Sequence, residues 1–419
     1  MHNRKHVYRH ALVLFVLVFV VCNAFAYAQE KITLRVITGY APNSATWDLW
    51  QEFIQEYEEL NPHIVIENRG SVAQADVLLM QLISNEPPDI IKTDMPTVLS
   101  LHRRDLIQPM PKQYVDRFTA AYFPSAIQAL QYDDTLLGIP ASSNVTGIIY
   151  NTRIFAEKGV AGPPRTWEEL HLLGPKLSEY SGTNIIQPAI TVADNWNLDY
   201  FLTASILAEG GQIIDQNGNL VVDQEPTYRA FQRWLDAVNH GYFAFNKGGL
   251  FSSGQLPMVF GWPFWQVTLS SRHNLDDFRS APTLAGTAGT VTTYRNHAYC
   301  VPTVAHQQEE AWKFLEWMTS KESGYGGTRL GYFDSIAGTL PITRSDITAP
   351  YNRSRQQFMA GFLEAIEYSV PSVPWMRHGL GSMPELSNAL KKTVAGVSPQ
   401  QSINEAVTLL KSKMEDWRK

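Results

Sequence analysis

Strand patterns and amphipathic helix patterns alternate along the amino-terminal quarter of the chain. Residues 32–37 alternate as a strand does, and the next segment places Trp50, Phe53, Ile54 and Tyr57 at the spacing of one buried helical stripe. Two further strands and a second helix follow, at 64–66, 89–91 and 73–84. Later in the chain the patterns predict a strand at 185–190, a helix capped by Thr166, a helix at 309–320 and a last helix capped by Ser398. This alternation predicts an α/β fold with a mostly parallel sheet and helices on both faces. In such sheets ligands bind beyond the carboxyl ends of the strands.

Residues 1–28 have the pattern of a secretory signal peptide. Arg4, Lys5 and Arg9 precede an apolar block at 11–21, and small residues stand at Ala26 and Ala28. We therefore expect a mature chain from Gln29 that works in the periplasm. Its roughly 390 residues exceed a single hydrophobic core, which predicts two domains.

The charge balance opposes nucleic acid as a partner. The full chain has 34 basic and 40 acidic side chains, and removing residues 1–28 makes the excess of acids larger. Nucleic acids and anionic membranes both attract positive surfaces. Neither is an expected partner.

Recognisable catalytic and metal-binding motifs are missing from the sequence. There is no Gly-x-Ser-x-Gly elbow, no His-Glu-x-x-His, no Ser-x-x-Lys and no phosphate-binding Walker loop. Cys300 stands in an apolar strand pattern, which favours a core cysteine. These absences weaken the hypothesis of a hydrolase without excluding it, and we expect no cofactor and no metal.

Two segments resemble a known family. They are Gly147-Ile148-Ile149-Tyr150-Asn151 and Pro163-Pro164-Arg165-Thr166-Trp167-Glu168-Glu169-Leu170. Together they resemble the family 1 extracellular solute-binding proteins of ABC importers, the maltose-binding-protein-like group. Weaker matches occur in the family's order at 88–91, 105–109, 254–258, 311–315 and 338–341. Asp105 stands where the family usually has glycine.

The resemblance implies a two-lobed periplasmic-binding-protein fold of type II. Each lobe would hold a central, mostly parallel sheet flanked by helices, with a hinge between the lobes. The amino-terminal lobe would comprise 29–141 and 302–347, and the carboxy-terminal lobe 142–301 and 348–419. A monomer of this kind would hold a small ligand between its lobes and pass it unchanged to an ABC permease in the inner membrane.

The family's contact positions also imply a set of ligand-binding residues. They are Tyr40, Asn43, Ser44, Asp94, Asn144, Asp194, Asn195, Trp196, Trp262, Trp265, Arg295, Asn296, Trp375 and Arg377. Other roles stay open for several of them. Asn43, Ser44 and Asp94 could cap helices, and Arg377 could pair with a neighbouring acid.

Indole rings beside Asp and Asn side chains favour a neutral carbohydrate, because the rings cover the C–H face of a sugar and the polar groups bind its hydroxyls. Glycerol phosphate and a polyamine are alternative ligands within the same family. A secreted carbohydrate-active enzyme is the alternative from another class. It would need two facing carboxyl groups, for which Asp94 and Asp194 are the candidates.

Overall fold

The computed structural model describes residues 31–70, 75–182, 184–321 and 323–418. The predicted signal peptide lies outside these residues. Fifteen strands are described: β1 Ile32–Ile37, β2 Ile64–Asn68, β3 Ile90–Asp94, β4 Gln131–Tyr132, β5 Thr135–Leu136, β6 Ile139–Val145, β7 Gly147–Asn151, β8 Glu179–Ser181, β9 Asn184–Gln187, β10 Ile190–Val192, β11 Phe243–Phe245, β12 Met258–Gly261, β13 Phe278–Pro282, β14 Thr292–Cys300 and β15 Ser369–Pro371.

Helices connect and cover these strands. They are α1 Ala45–Leu60, α2 Ala75–Leu82, α3 Met95–His102, α4 Lys112–Ala121, α5 Pro124–Gln128, α6 Thr152–Glu157, α7 Trp167–Leu177, α8 Trp196–Ala208, α9 Glu225–Asn239, α10 Gly248–Ser252, α11 Trp265–Ser270, α12 Gln308–Met318, α13 Arg329–Ala337, α14 Arg344–Ile347, α15 Gln356–Glu367, α16 Val373–Met376, α17 Pro384–Val394 and α18 Pro399–Arg418. Two 3₁₀ turns, Leu275–Asp277 and Pro350–Arg355, complete the described elements. No helix among the described residues is long and apolar enough to cross a membrane.

The first sheet contains the predicted amino-terminal strands. Its order is β15-β14-β3-β1-β2, and β6 pairs with β14 on the side opposite to β3. β1 pairs in parallel with both β2 and β3. β14 is antiparallel to β3 and to β6, so a long strand from late in the chain closes the parallel core.

The second sheet has the order β11-β10-β12-β7-β13. β10 is parallel to β11 and β12, and β7 is antiparallel to β12 and β13. Thr146 alone separates β6 of the first sheet from β7 of the second. The chain returns to the first sheet between β13 and β14. The α/β fold class with two sheet-centred lobes is thereby confirmed.

The predicted lobe boundaries fall at the strands that join the sheets. The boundary at 141/142 lies within β6, and the boundary at 301/302 follows the end of β14. Although β14 falls in the segment assigned to the carboxy-terminal lobe, it pairs with β3 of the first sheet. The division into 29–141 with 302–347 and 142–301 with 348–419 stays a prediction.

Helix α1 shows how the sequence builds the first lobe. Ser44 caps it by accepting a hydrogen bond from the Trp47 amide at 3.2 Å. The predicted stripe is confirmed: Trp50 and Phe53 are fully buried against the first sheet and its covering helices. Helix α13 of the late return packs on α1, and Arg329 pairs there with Glu56. Residues 329–337 therefore lie beside helix α1, which covers the first sheet.

A buried carboxylate anchors the end of this late return. Asp346 is completely buried and accepts hydrogen bonds from the Thr328 amide at 2.8 Å, the Thr328 hydroxyl at 2.9 Å and the Tyr351 hydroxyl at 2.7 Å. The Thr343 hydroxyl donates a fourth bond at 2.5 Å. This network ties the start of α13 to the segment that leads into α15.

The second lobe departs from prediction in one strand. The sequence predicted a strand over 185–190, whereas the structure divides this stretch between β9, in an exposed hairpin with β8, and β10, in the second sheet. Pro188 lacks an amide hydrogen and interrupts the ladder between them. The predicted terminal helix is confirmed as α18, with Ser398 accepting from the Gln401 amide at 3.3 Å.

Candidate functional site

Polar side chains share one face of the first sheet, at the carboxyl end of β3. Asp94 on β3 is paired with His297 on β14, and Lys92 is paired with Tyr299. On the other edge of β14, Asn144 lies opposite Arg295. Directly opposed residues in an antiparallel pair point to the same face. Strand pairing thus collects side chains that are up to 207 positions apart in the chain.

Arg295 links this polar face to the second lobe. Its guanidinium lies 4.4 Å from the ring centroid of Trp196 and 5.8 Å from that of Tyr200, both on α8. Asp94, Tyr200 and Arg295 also line a common small pocket. The site is therefore formed by residues of both lobes. We call this set, Lys92, Asp94, Asn144, Trp196, Tyr200, Arg295 and His297, the inter-lobe cluster.

Asn144 presents an unsatisfied acceptor in this cluster. The residue is 7 % exposed, and its Oδ1 atom has no hydrogen-bond partner among the described residues. A buried acceptor without a donor costs free energy, on the order of 1–3 kcal/mol. A ligand hydroxyl would satisfy it.

Lys92 and Tyr40 meet beside the cluster. The Lys92 ammonium donates to the Tyr40 hydroxyl and lies 3.8 Å from the centre of its ring. Burial lowers the pKa of Lys92 to about 7, against the opposing effect of Asp334. Burial also raises the pKa of Tyr40 well above its usual value, and Asp334 raises it further. Tyr40, a candidate ligand contact, is held by the ring of Phe333 at 4.8 Å.

His297 stays uncharged at neutral pH. Burial lowers its pKa to about 3, and the positive charges of Lys92 and Arg295 lower it in the same direction. Its Nδ1 atom lies 3.5 Å from the Ser142 hydroxyl. The imidazole therefore contributes hydrogen bonding rather than charge.

Three of the predicted ligand contacts act as helix caps. Ser44 caps α1, Asp94 caps α3 by accepting from the Thr97 amide at 3.2 Å, and Asn195 caps α8 by accepting from the Asn197 amide at 3.0 Å. The alternative of helix capping is thus confirmed for Ser44 and Asp94. Asn43 instead is exposed and has a left-handed backbone, with φ 65°.

Asp194 and Trp196 lie on either side of the Asn195 cap. The Asp194 amide donates to Asn246 Oδ1 at 3.0 Å, which fixes the loop that enters α8. Trp196 follows as the first residue of the helix with 38 % of its surface exposed. It supplies the indole of the inter-lobe cluster.

The other predicted tryptophans are more enclosed. Trp262 is 1 % exposed and donates from Nε1 to Asn197 Oδ1 at 2.8 Å. Its ring centroid lies 5.7 Å from that of Trp196. Because its ring is covered by neighbouring side chains, Trp262 packs against Trp196 and does not reach a ligand in this arrangement. Trp265 packs edge-on to Phe251 at 5.5 Å. Trp375 is 5 % exposed and lines a second pocket beside Tyr200.

Arg377 is paired with an acid, the second of the two roles considered for it. Its guanidinium lies 2.9 Å from Asp133 Oδ1 and over the ring of Tyr132. Asn296 pairs with Ser143 along β14, and its side chain lies outside what the structure describes. Its role as a ligand contact stays a prediction.

Three members of the cluster, Lys92, Tyr200 and His297, are absent from the predicted ligand contacts. Each stands at a regular interval from a predicted contact. Lys92 is two residues before Asp94 on β3, His297 is two residues after Arg295 on β14, and Tyr200 is four residues after Trp196 on α8. Such spacings place side chains on one face of a strand or a helix. Searching those intervals would have found all three.

Across the described residues, no group of three or more His, Cys, Asp or Glu side chains could hold a metal ion. The cluster offers hydrogen-bond donors and acceptors, two cations and aromatic rings. Groups of these kinds can form hydrogen bonds and stacking contacts with a polar molecule.

A family model described as "Bacterial extracellular solute-binding protein" matches residues 44–325. The maltotriose-binding protein of Pyrococcus abyssi is 22 % identical over 345 residues, which cover 78 % of this chain and 71 % of that protein. The match therefore covers more than two thirds of each protein.

Two solved structures share the fold. The sugar-binding protein MalE of Xanthomonas citri superposes with a TM-score of 0.77 at 18 % identity, covering 92 % of this chain and 98 % of that one. The GacH receptor of Streptomyces glaucescens, solved unliganded and with acarbose, gives a TM-score of 0.75 at 18 % identity, with 92 % and 99 % covered. At this level of identity the structures show a common fold.

Proposed function

Because the chain belongs to the family of bacterial extracellular solute-binding proteins, we propose that it captures a small carbohydrate between its two lobes and delivers it to an ABC permease. The observation that carries this proposal is the inter-lobe cluster. In it an exposed indole on the second lobe, Trp196, lies beside an unsatisfied acceptor on the first sheet, Asn144.

The cluster suits a sugar chemically. Indole and phenol rings provide flat apolar surfaces for the C–H face of a pyranose, and Asn144 and Asp94 accept hydrogen bonds from hydroxyl groups. A site of this kind combines apolar walls with a few polar groups that fix the ligand's orientation. It rejects analogues that leave its buried polar groups unpaired.

The names of the relatives also support a carbohydrate ligand. One is a maltotriose-binding protein, and one structural neighbour was solved with acarbose. Another was solved with mannotriose. We infer an oligosaccharide or monosaccharide ligand for this chain by analogy with them.

Binding would be coupled to movement of the lobes. The cluster joins residues of β3, β6 and β14 to residues of α8, so a ligand in it touches both lobes only when they are close. Binding energy then shifts the equilibrium toward the closed form. A permease that distinguishes the closed form from the open one would accept only loaded protein.

The site of action follows from the predicted signal peptide at 1–28 and from the family. We propose that the mature protein works in the periplasm as a monomer and leaves its ligand chemically unchanged.

Isothermal titration calorimetry with maltotriose and mannotriose tests the proposal. We expect saturable binding to one of them and an increase in the melting temperature of the loaded protein. Trp196→Ala should weaken that binding. Trp417→Ala is the matched control, because Trp417 also lies under an arginine, Arg103 at 4.8 Å, but outside the cluster.

Two results would contradict the proposal. One is the absence of binding to any neutral or acidic mono- or oligosaccharide by folded protein. The other is the appearance of shortened sugars after incubation, which would indicate an enzyme.

A further inference from the structure

Arg295 extends from one lobe to the other. It stands on β14 of the first sheet, opposite Asn144 on β6. Its guanidinium lies over the ring of Trp196, the first residue of α8, at 4.4 Å from the ring centroid. In the described part of the chain, none of the ion pairs includes Arg295. A cation–π contact with the indole therefore connects the first sheet to the second lobe.

The guanidinium covers the face of the indole that is turned toward the first sheet. A ligand held between the lobes lies between that sheet and α8, and the side chain of Arg295 passes through the same space to reach Trp196. A planar guanidinium stacks on an aromatic face, and the C–H face of a sugar needs the same surface. The two cannot occupy one face of the indole together.

The space beside Arg295 is too small for a sugar in this arrangement of the lobes. The pocket that Arg295 lines together with Asp94 and Tyr200 has a volume of about 10 Å³, and Trp196 is not one of its lining residues. Such a volume holds about one water molecule. A sugar that stacks on Trp196 from the side of the first sheet must therefore displace Arg295.

We propose, building on the function proposed above, that Arg295 is a displaceable cover of the Trp196 ring. A sugar that stacks on the indole replaces the guanidinium, which turns toward Asp94 on the wall of the same pocket. A carboxylate binds an arginine through two parallel N–H···O bonds, so the displaced cation gains a partner. Arg295 competes with the ligand instead of binding it, and it lowers the affinity by the fraction of protein in which the indole is covered.

Calorimetry with maltotriose and mannotriose tests this competition. Arg295→Ala and Arg295→Gln should each bind the sugar about three- to tenfold more tightly than the wild type, because a cation–π contact at a partly exposed site changes an equilibrium constant by such a factor. Arg103→Gln is the matched control with unchanged binding, since Arg103 lies over Trp417 at 4.8 Å and outside the inter-lobe cluster. Thermal melting checks that each variant is folded, and Arg295→Gln retains part of the side chain if Arg295→Ala does not fold.

A double-mutant cycle connects the gain in affinity to the indole. In a Trp196→Ala background, the further change Arg295→Ala should alter the affinity by less than about twofold, because no ring is left to cover. A gain of the same size in both backgrounds would show that Arg295 acts elsewhere, and it would overturn the inference.

A measurement without sugar tests the contact itself. In protein labelled with 5-fluorotryptophan, the ¹⁹F resonance of Trp196 is the one that Trp196→Phe removes. It should shift in Arg295→Ala and stay in place in Arg103→Gln. A Trp196 resonance that is the same in Arg295→Ala and in the wild type would contradict the stacking of the guanidinium on the ring.

The remaining outcomes separate this inference from the proposed function. Equal or weaker sugar binding by Arg295→Ala and Arg295→Gln, beside a wild type that binds, would overturn the inference and leave carbohydrate binding in place. Binding by the two variants alone would support both. No binding of either sugar by the wild type or by the variants would contradict the proposed function and the competition together, even if the ¹⁹F resonance shifts.

Discussion

Alanine substitutions of Trp262 and Trp196 should have different effects. Trp262→Ala should lower the stability of the fold, and Trp196→Ala should lower the affinity for the ligand. Trp262 is 1 % exposed, its indole donates to Asn197, and three aromatic rings surround it at 5.4–5.8 Å. Truncating a buried tryptophan to alanine costs about 3–5 kcal/mol. Trp196 is 38 % exposed, so its truncation should cost less than about 1 kcal/mol of stability.

Urea denaturation and thermal melting without ligand measure both effects. At roughly 2–4 °C per kcal/mol for a lobe of this size, Trp262→Ala should melt at least about 6 °C below the wild type. Trp262→Phe keeps most of the apolar volume and loses the hydrogen bond, so it should cost only about 1–2 kcal/mol. Trp196→Ala should melt near the wild type and bind its sugar at least about tenfold more weakly.

The sequence-based expectation was the reverse for Trp262, namely a ligand contact whose loss lowers affinity. A Trp262→Ala protein that melts within 1 °C of the wild type (~0.3 kcal/mol) would refute the structural argument. The same result with weaker sugar binding would restore Trp262 as a ligand contact.

Three further predictions concern the framework of the site. Asp346→Ala removes the acceptor of four hydrogen bonds and should lower the free energy of unfolding by about 3–5 kcal/mol in urea titrations, with a smaller loss for Asp346→Asn. Gly361→Ala should lower the free energy of unfolding by about 1–3 kcal/mol, because the new Cβ would lie 2.0 Å from the Ser280 carbonyl oxygen. The control is Gly249→Ala, where nothing lies within 4 Å of the new Cβ and the free energy of unfolding should hardly change. Equal effects of the two substitutions would contradict the steric argument. In the folded protein the pKa of His297 is lowered to about 3, below its value in the unfolded chain. Between about pH 6.5 and pH 3 the unfolded chain therefore binds a proton that the folded protein does not, and the free energy of unfolding should fall as the pH is lowered through that range. His297→Gln should lose less stability over that range, and identical pH profiles for the two proteins would contradict the burial of a neutral imidazole.

Local patterns were sufficient for the architecture. Periodicity alone identified α1, α12 and α18 and the first three strands, because a helix or strand that buries one face must repeat its apolar residues at the interval of that element. The Thr166 cap of α7 was equally readable, since a cap depends on residues within one turn; its hydroxyl accepts from the Glu169 amide at 3.0 Å. The resemblance to a family then connected these elements into two lobes.

Strand pairing was beyond local reasoning. The ladder of β14 with β3 places His297 opposite Asp94, and its ladder with β6 places Arg295 opposite Asn144. Residues from three separate segments of the chain meet in this way. Register between distant strands depends on the packing of both lobes, which no window of the sequence contains.

Burial also differs among the predicted tryptophans. All three of Trp196, Trp262 and Trp375 had suitable positions for a ligand contact, but Trp196 alone of them keeps more than a third of its surface exposed. Which indole faces solvent depends on which neighbours cover it, and those neighbours come from other elements. The sequence by itself thus determined the elements, the fold class and the family, because these follow from local periodicity and motifs. Only the tertiary structure decided which side chains meet, because charge and exposure at the site arise from contacts between residues far apart in the chain.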